Sequence, residues 1–138
     1  MTVEALRPQD RDYAMRIDRH MSAAAYDRHM YAKTGYILWE DGAPIGLMHH
    51  CLLWDSLPIL NLIFVEEAYR GRGFASQALA FWEADMKRQG YRTVLVSTQV
   101  DESAQHLYRR LGYRDCGALL LDHTPMEQPM EMFMRKVV

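Results

Sequence analysis

The stretch Tyr69-Arg70-Gly71-Arg72-Gly73-Phe74-Ala75-Ser76 (YRGRGFAS) decides how the rest of the chain reads. Ahead of it runs Ile59 to Val65 (ILNLIFV), an apolar segment dense enough to be a strand in the middle of a sheet. Behind it, Ala75, Ala78, Leu79, Trp82 and Met86 recur at helical spacing between Phe74 and Gln89, with Gln77, Asp85, Lys87 and Arg88 largely off that stripe. The stretch therefore joins a strand to a helix. Without Cβ atoms, its glycines let backbone come close to a ligand. The first N–H groups of the helix have no partner inside it and point at the loop. The helix dipole adds partial positive charge there, so a phosphate or pyrophosphate fits. Arg70 and Arg72 offer charged donors. The plain alternative is a tight turn with two solvated arginines.

Upstream of this loop, Thr2 to Leu6 reads as a short strand, and Pro8 suits a helix N-terminus with helical pattern to about Arg19. A second helix is expected from Ser22 to Tyr31. Tyr36 to Trp39 is strand-like, Asp41-Gly42 supplies the positive φ of a tight hairpin, and Pro44 to Trp54 returns as a strand. Asp55 to Pro58 turns again before Ile59. Downstream, Gly90 fits a left-handed helix cap. Arg92 to Gln99 is a strand, and Asp101 reads as the N-cap of a helix from Glu102 to Leu111. Ala104, Leu107, Tyr108 and Leu111 form its apolar face. Strands at about Gly117 to His123 and Met130 to Val137 close the chain. The order is β-α-α-β-β-β-α-β-α-β-β, an α+β (mixed α/β) arrangement with a right-handed βαβ unit in its middle. No repeat, linker or composition shift divides residues 1–138, so a single domain is expected.

The bulk numbers limit partners more than they suggest them. The formal net charge is -2, which gives no global reason to expect nucleic acid or an anionic membrane, so any anion site must be local. Cys51 and Cys116 make no metal spacing and are expected to be reduced thiols; none of the six histidines makes a metal motif. The N-terminal region lacks an apolar secretory segment, and no apolar run is long enough to cross a bilayer, so a cytoplasmic protein is expected. Ten methionines suit an adaptable core or a forgiving pocket. The alternation of Met130, Met132 and Met134 in the last strand leaves both a core strand and a homodimer seam open.

Three ligand classes compete for the loop. A Walker A loop needs Gly-Lys-Ser/Thr, which is absent. A dinucleotide fingerprint needs a third glycine where Ser76 stands, and an acidic end to the next strand, which instead ends Ser97-Thr98-Gln99. Arg70-x-x-Gly73-x-Ala75 matches R/Q-x-x-G-x-G/A. On this motif the sequence resembles the GNAT acyltransferase superfamily, and the resemblance extends from about Tyr36 to Gly117. The segment DESAQHLYRRLGYRD carries Ala104, Tyr108, Gly112 and Tyr113 at the places of the family pattern N-x-x-A-x-x-x-Y-x-x-x-G-F/Y, with Asp101 where asparagine is usual.

The resemblance implies a three-layer fold, a mixed sheet of about six to seven strands flanked by about four helices. It implies transfer of an acetyl group from acetyl-coenzyme A, as co-substrate and without metal, directly to the primary amine of a small molecule or peptide. A non-catalytic acyl-coenzyme A-binding module of the same fold is the alternative. Arg70, Gly71, Arg72, Gly73, Phe74, Ala75 and Ser76 would hold the pyrophosphate, chiefly through backbone, with Asp101, Ala104 and Tyr108 also against the coenzyme. Backbone N–H groups near Phe64 and Val65 would polarise the thioester carbonyl. Tyr108 would stabilise or protonate the departing thiolate, since a phenol with a reference pKa of about 10 keeps its proton at neutral pH. The general base is less legible. Asn61 and Ser97 are poor bases, Glu66 and Glu67 read as solvated strand-end carboxylates, and alternation puts His49 and His50 on opposite sheet faces. Tyr26, Tyr31, Tyr36, Trp39 and Trp54, with Asp10, Asp18 and Asp27, are candidates for the acceptor's surroundings, each also readable as packing or solvated surface.

Overall fold

Several elements begin or end at a local cause written in the sequence. The computed structural model describes residues Met1–Val138. β1 (Thr2–Ala5) leads through a 3-10 turn at Pro8–Asp10 into α1 (Arg11–Ile17) and α2 (Ala23–Ala32). Ser22 caps α2, its hydroxyl accepting from the Ala25 N–H at 3.1 Å. β2 (Gly35–Glu40) and β3 (Ala43–Leu53) are joined by Asp41 and Gly42, with φ of 49° and 76°. Two successive positive φ values are what a tight two-residue hairpin turn needs. Trp54 and Asp55 repeat this at φ 51° and 57° and lead into β4 (Leu57–Val65), which begins two residues before the Ile59 expected from the apolar run.

α3 (Phe74–Arg88) follows, then β5 (Thr93–Gln99), α4 (Ala104–Arg110), β6 (Arg114–Leu119) and β7 (Glu131–Val137). Gly90 (φ 96°) ends α3: its N–H reaches the Lys87 carbonyl at 3.0 Å and the Tyr91 N–H reaches Met86 at 3.1 Å, the paired bonds of a glycine-terminated helix. The seven strands form one mixed sheet in the order β1-β2-β3-β4-β5-β7-β6. The four helices and the seven strands match the sequence expectation. Among the strands β6 departs furthest in extent: expected at 117–123, it begins at Arg114 and stops at Leu119. Antiparallel pairing with β7, Arg114 opposite Arg135 through Leu119 opposite Glu131, fixes that shorter span.

The chain divides into two compact units, Met1–Cys51 with Asn61–Trp82, and Leu52–Leu60 with Glu83–Val138. In the first, Leu6, Ala14, Met21, Tyr26, Ile37 and Leu47 form the core, with Leu62 packed against it. Gly46 is fixed by close approach, because a Cβ there would fall against the Phe64 carbonyl oxygen. In the second, Val94, Val96, Met86 and Met134 are fully buried, so the last methionine strand contributes to the core at least at Met134. Glu83 ties this unit together, accepting from the Tyr113 hydroxyl at 2.8 Å and from the Lys136 ammonium at 2.7 Å. Asp85, read from sequence as lying off the apolar stripe, is buried. Gln89 donates to its carboxylate at 3.0 Å, and Arg88 pairs with it. A buried carboxylate is tolerable on those terms.

Candidate active site

β4 is central in the sheet, as its apolar density requires, yet it is not buried throughout. Its parallel register with β5 consists of Ile59 opposite Leu95 and Leu60 opposite Val96. From there Asn61 is exposed, Leu62, Ile63 and Phe64 are half-buried, and only Val65 is again covered. Glu66 anchors the strand end, its N–H donating to the Ile45 carbonyl at 2.8 Å.

A 3-10 turn at Glu67–Tyr69 then delivers the chain into the glycine loop. Gly71 and Gly73 both take left-handed conformations, φ 73° and 80°, which strain any residue with a Cβ. A Cβ on Gly71 would meet nothing within 4 Å; one on Gly73 would meet only the Gln77 side-chain nitrogen, at 4.0 Å. Space above both is open. The Gln77 N–H closes the first turn of α3 on the Gly73 carbonyl at 3.1 Å. The N–H groups of Phe74, Ala75 and Ser76 precede that bond, so no i-to-i−4 partner within α3 engages them.

The arginines have roles that their sequence positions did not disclose. Arg70 donates through Nε to the Val65 carbonyl at 2.9 Å, and its guanidinium lies 5.5 Å from the Phe64 ring. It braces the strand end against the loop. The Arg72 guanidinium lies 5.5 Å from the Tyr69 ring and 4.9 Å from the Phe74 ring, a cation held between two aromatic faces. The main-chain N–H groups are the donors that remain aimed by the fold itself.

Tyr108 sits in the middle of α4, 5 % exposed, with its ring edge-on to Tyr113 at 5.7 Å. Burial first, then the charges of Glu102 and Glu131, push its phenol up to about 12. Asp101 does not cap this helix. α4 begins at Ala104 with Ser103 at the cap position, and Asp101 is exposed in the preceding turn. The cause is Glu102, whose Oε2 accepts from the Thr98 hydroxyl at 2.7 Å and the Gln99 N–H at 3.2 Å. That carboxylate holds residues 101–103 in a turn and delays the helix. Ala104 is its half-buried first residue.

The candidate bases divide by face as alternation requires. His49 Nε2 lies 2.8 Å from Asp18 Oδ2 and its ring 4.5 Å from His29. His50 stacks on Tyr36 at 6.2 Å and lies 5.8 Å from Trp82. Both histidines are buried. Burial lowers the pKa of His49 against the opposing pull of Asp18, and burial beside His49 brings His29 down to about 4. Glu66 is not simply solvated: it accepts from Arg16 at 2.8 Å and from the Tyr13 hydroxyl at 3.2 Å. Glu67 is exposed.

Of the aromatic candidates, Tyr26 and Tyr36 are core residues and Trp39 is half-buried, while Tyr31 and Trp54 are 80 % and 83 % exposed. Asp10, Asp18 and Asp27 are engaged by Arg7, His49 and Arg11. No group of three or more His, Cys, Asp or Glu side chains is placed to hold a metal ion, and no helix is long and apolar enough to cross a membrane.

The sequence matches the model of the Acetyltransferase (GNAT) family over residues 3–113. No curated protein sequence matches it significantly. Among solved structures, Ard1 from Thermoplasma volcanium superposes with a TM-score of 0.84 at 17 % identity, over 99 % of this chain and 97 % of that one. The ribosomal-protein-S18-alanine N-acetyltransferase from Escherichia coli gives 0.75 at 17 %, over 99 % and 93 %. A GNAT family acetyltransferase from Elizabethkingia anophelis with acetyl-CoA bound gives 0.78 at 19 %, over 99 % and 97 %.

Proposed function

The chain belongs to the acetyltransferase (GNAT) family, and we propose that it moves an acetyl group from acetyl-coenzyme A directly to a primary amine. The observation that carries this reading is the loop: two left-handed glycines with open space above them, directly ahead of a fifteen-residue helix. Backbone N–H groups of residues 71–76 receive the pyrophosphate at the positive end of α3. Arg70 holds the end of β4 in place and Arg72 adds positive charge. Asp101 and Ala104 flank the coenzyme at the head of α4. Main-chain N–H groups near Phe64 and Val65 take the thioester oxygen as it becomes an oxyanion. The short β4–β5 ladder supports this role, since beyond Leu60 the β4 amides that face away from β3 have no ladder partner.

Tyr108 attends the departing sulfur. Its phenol at about 12 is fully protonated at neutral pH. An alkyl thiol ionises near 8.5, so complete transfer to the thiolate from a phenol this weak would cost about 5 kcal/mol. The hydroxyl therefore acts as a hydrogen-bond donor to the negative charge that develops on sulfur as the C–S bond breaks. Calorimetric titration with acetyl-coenzyme A, coenzyme A, NAD and ATP tests the coenzyme reading. The first two should bind and the others should not; binding of NAD or ATP without coenzyme A overturns it.

A further inference from the structure

The turn from α4 into β6 closes on Tyr108 with more apparatus than its backbone pattern requires. The Tyr113 N–H donates to the Tyr108 carbonyl at 3.0 Å and the Gly112 N–H to the Arg109 carbonyl at 3.1 Å, with Gly112 at φ 92°. This is a glycine-terminated helix end, which brings the residue after the glycine against the last turn of the helix. Any apolar ring at 113 would complete it. Here the ring is a tyrosine, 3 % exposed and edge-on to Tyr108. A buried hydroxyl needs a partner, and this one donates to Glu83 Oε1 on α3 at 2.8 Å. Burial first, then Glu83, push the phenol far up, so the proton stays on the Tyr113 oxygen. Glu83 Oε2 accepts from Lys136 of β7 at 2.7 Å, and the Lys136 ammonium also lies 5.4 Å from the Tyr113 ring. The Glu83 and Lys136 side chains are 14 % and 25 % exposed. An ion pair drawn that far out of water adds little to stability over apolar residues of the same volume. What a charged acceptor does supply is a strong, directional bond to the Tyr113 hydroxyl. Lys136 leaves the group without net charge. The arrangement suits fixing a ring better than filling a core.

We propose that Glu83 and Lys136 are positioning residues: through the Tyr113 hydroxyl they hold the ring on which Tyr108 rests, and so keep the Tyr108 hydroxyl aimed at the coenzyme sulfur. The inference rests on the role given to Tyr108 above. The Tyr108 hydroxyl has no hydrogen bond of its own to fix it, so its aim depends on the packing of its ring. A hydrogen bond to a thiolate weakens steeply when misaligned.

The test reads the thiol of coenzyme A bound to the full chain, which needs no acceptor. Ionisation is followed by thiolate absorbance against pH, with desulfo-coenzyme A complexes as blanks. Tyr108, at about 12, keeps its proton through the range used. A hydrogen bond from it favours the thiolate, so bound coenzyme A should ionise about tenfold more readily on wild type than on Tyr108→Phe. Tyr113→Phe keeps the ring and removes its anchor. It should lose about threefold or more of that advantage. The Glu83→Leu, Lys136→Met double variant, which leaves no orphan charge, should do the same, with coenzyme A affinity near wild type showing that it is folded. Neither change should matter further in a Tyr108→Phe background, because the clamp acts only through that hydroxyl. A Tyr113→Phe protein that keeps the whole advantage overturns the proposal. So does an effect of equal size with and without the Tyr108 hydroxyl, the mark of a merely structural change. If Tyr108→Phe itself alters nothing, the role of Tyr108 falls and the clamp with it, while acetyl transfer stands. If coenzyme A does not bind wild type, the acetyl-transfer reading falls and takes this inference with it.

Discussion

Replacing Gly73 by glutamine and by glutamate separates what this position does for the fold from what it does for the coenzyme. Both side chains must adopt φ near 80°, a strain of about 1–2 kcal/mol for a residue with a Cβ. Sterics add little, because a Cβ there meets only the Gln77 side-chain nitrogen at 4.0 Å. Each variant should therefore melt about 4–8 °C below wild type, and by the same amount. Their binding should differ. A carboxylate about 4 Å from a phosphate charge costs about 4 kcal/mol at an effective dielectric constant near 20. Exposure and salt reduce this to about 2–4 kcal/mol, a thirtyfold to thousandfold loss. Calorimetry with coenzyme A measures the difference between the two variants, in which strain cancels. If both bind coenzyme A alike and close to wild type, no phosphate sits over Gly73 and the assignment of the loop is wrong.

Tyr108→Phe should lower the rate of the chemical step about a hundredfold or more while leaving acetyl-coenzyme A affinity near wild type; an unchanged single-turnover rate removes the residue from the mechanism. Gly46→Ala should destabilise the protein by about 1–3 kcal/mol, because its Cβ meets the Phe64 carbonyl, and a urea midpoint equal to wild type would contradict that close approach. His29 is held near 4 in the folded chain, below its ordinary 6.5. The unfolded chain therefore binds the extra proton first, and stability present above about pH 6.5 is lost as pH falls toward about 4. Urea midpoints at pH 7 and pH 5 should show this loss, and His29→Gln should make it smaller; a variant with the same pH dependence as wild type would show that the titration lies elsewhere.

What the sequence disclosed was the part written in short-range pattern. Asp41-Gly42, Ser22 and Gly90 each satisfy a backbone requirement within a few residues, and each stands where expected. The glycine loop was legible for the same reason, since strand, glycines and helix are contiguous. Longer-range choices were not. Asp101 is a good N-cap residue by type, yet Glu102 takes the Thr98 and Gln99 donors and moves the helix start to Ala104. Asp85 reads as a surface residue until Gln89 and Arg88 are seen to satisfy it. Arg70 also braces the strand end through the Val65 carbonyl, a contact that its sequence position does not signal. His49 and Asp18 are 31 residues apart, so their pairing depends on how α1 is placed against β3.

The central claim is chemical: this chain joins an acetyl group to an amine. Incubation with acetyl-coenzyme A and a set of primary amines, reading thiol release and amide mass together, tests it most directly. The account predicts amine-dependent thiol release matched by an acetylated product and much reduced in Tyr108→Phe. Tight binding of acetyl-coenzyme A with no amide from any amine would contradict it and leave a binding module in place of an enzyme.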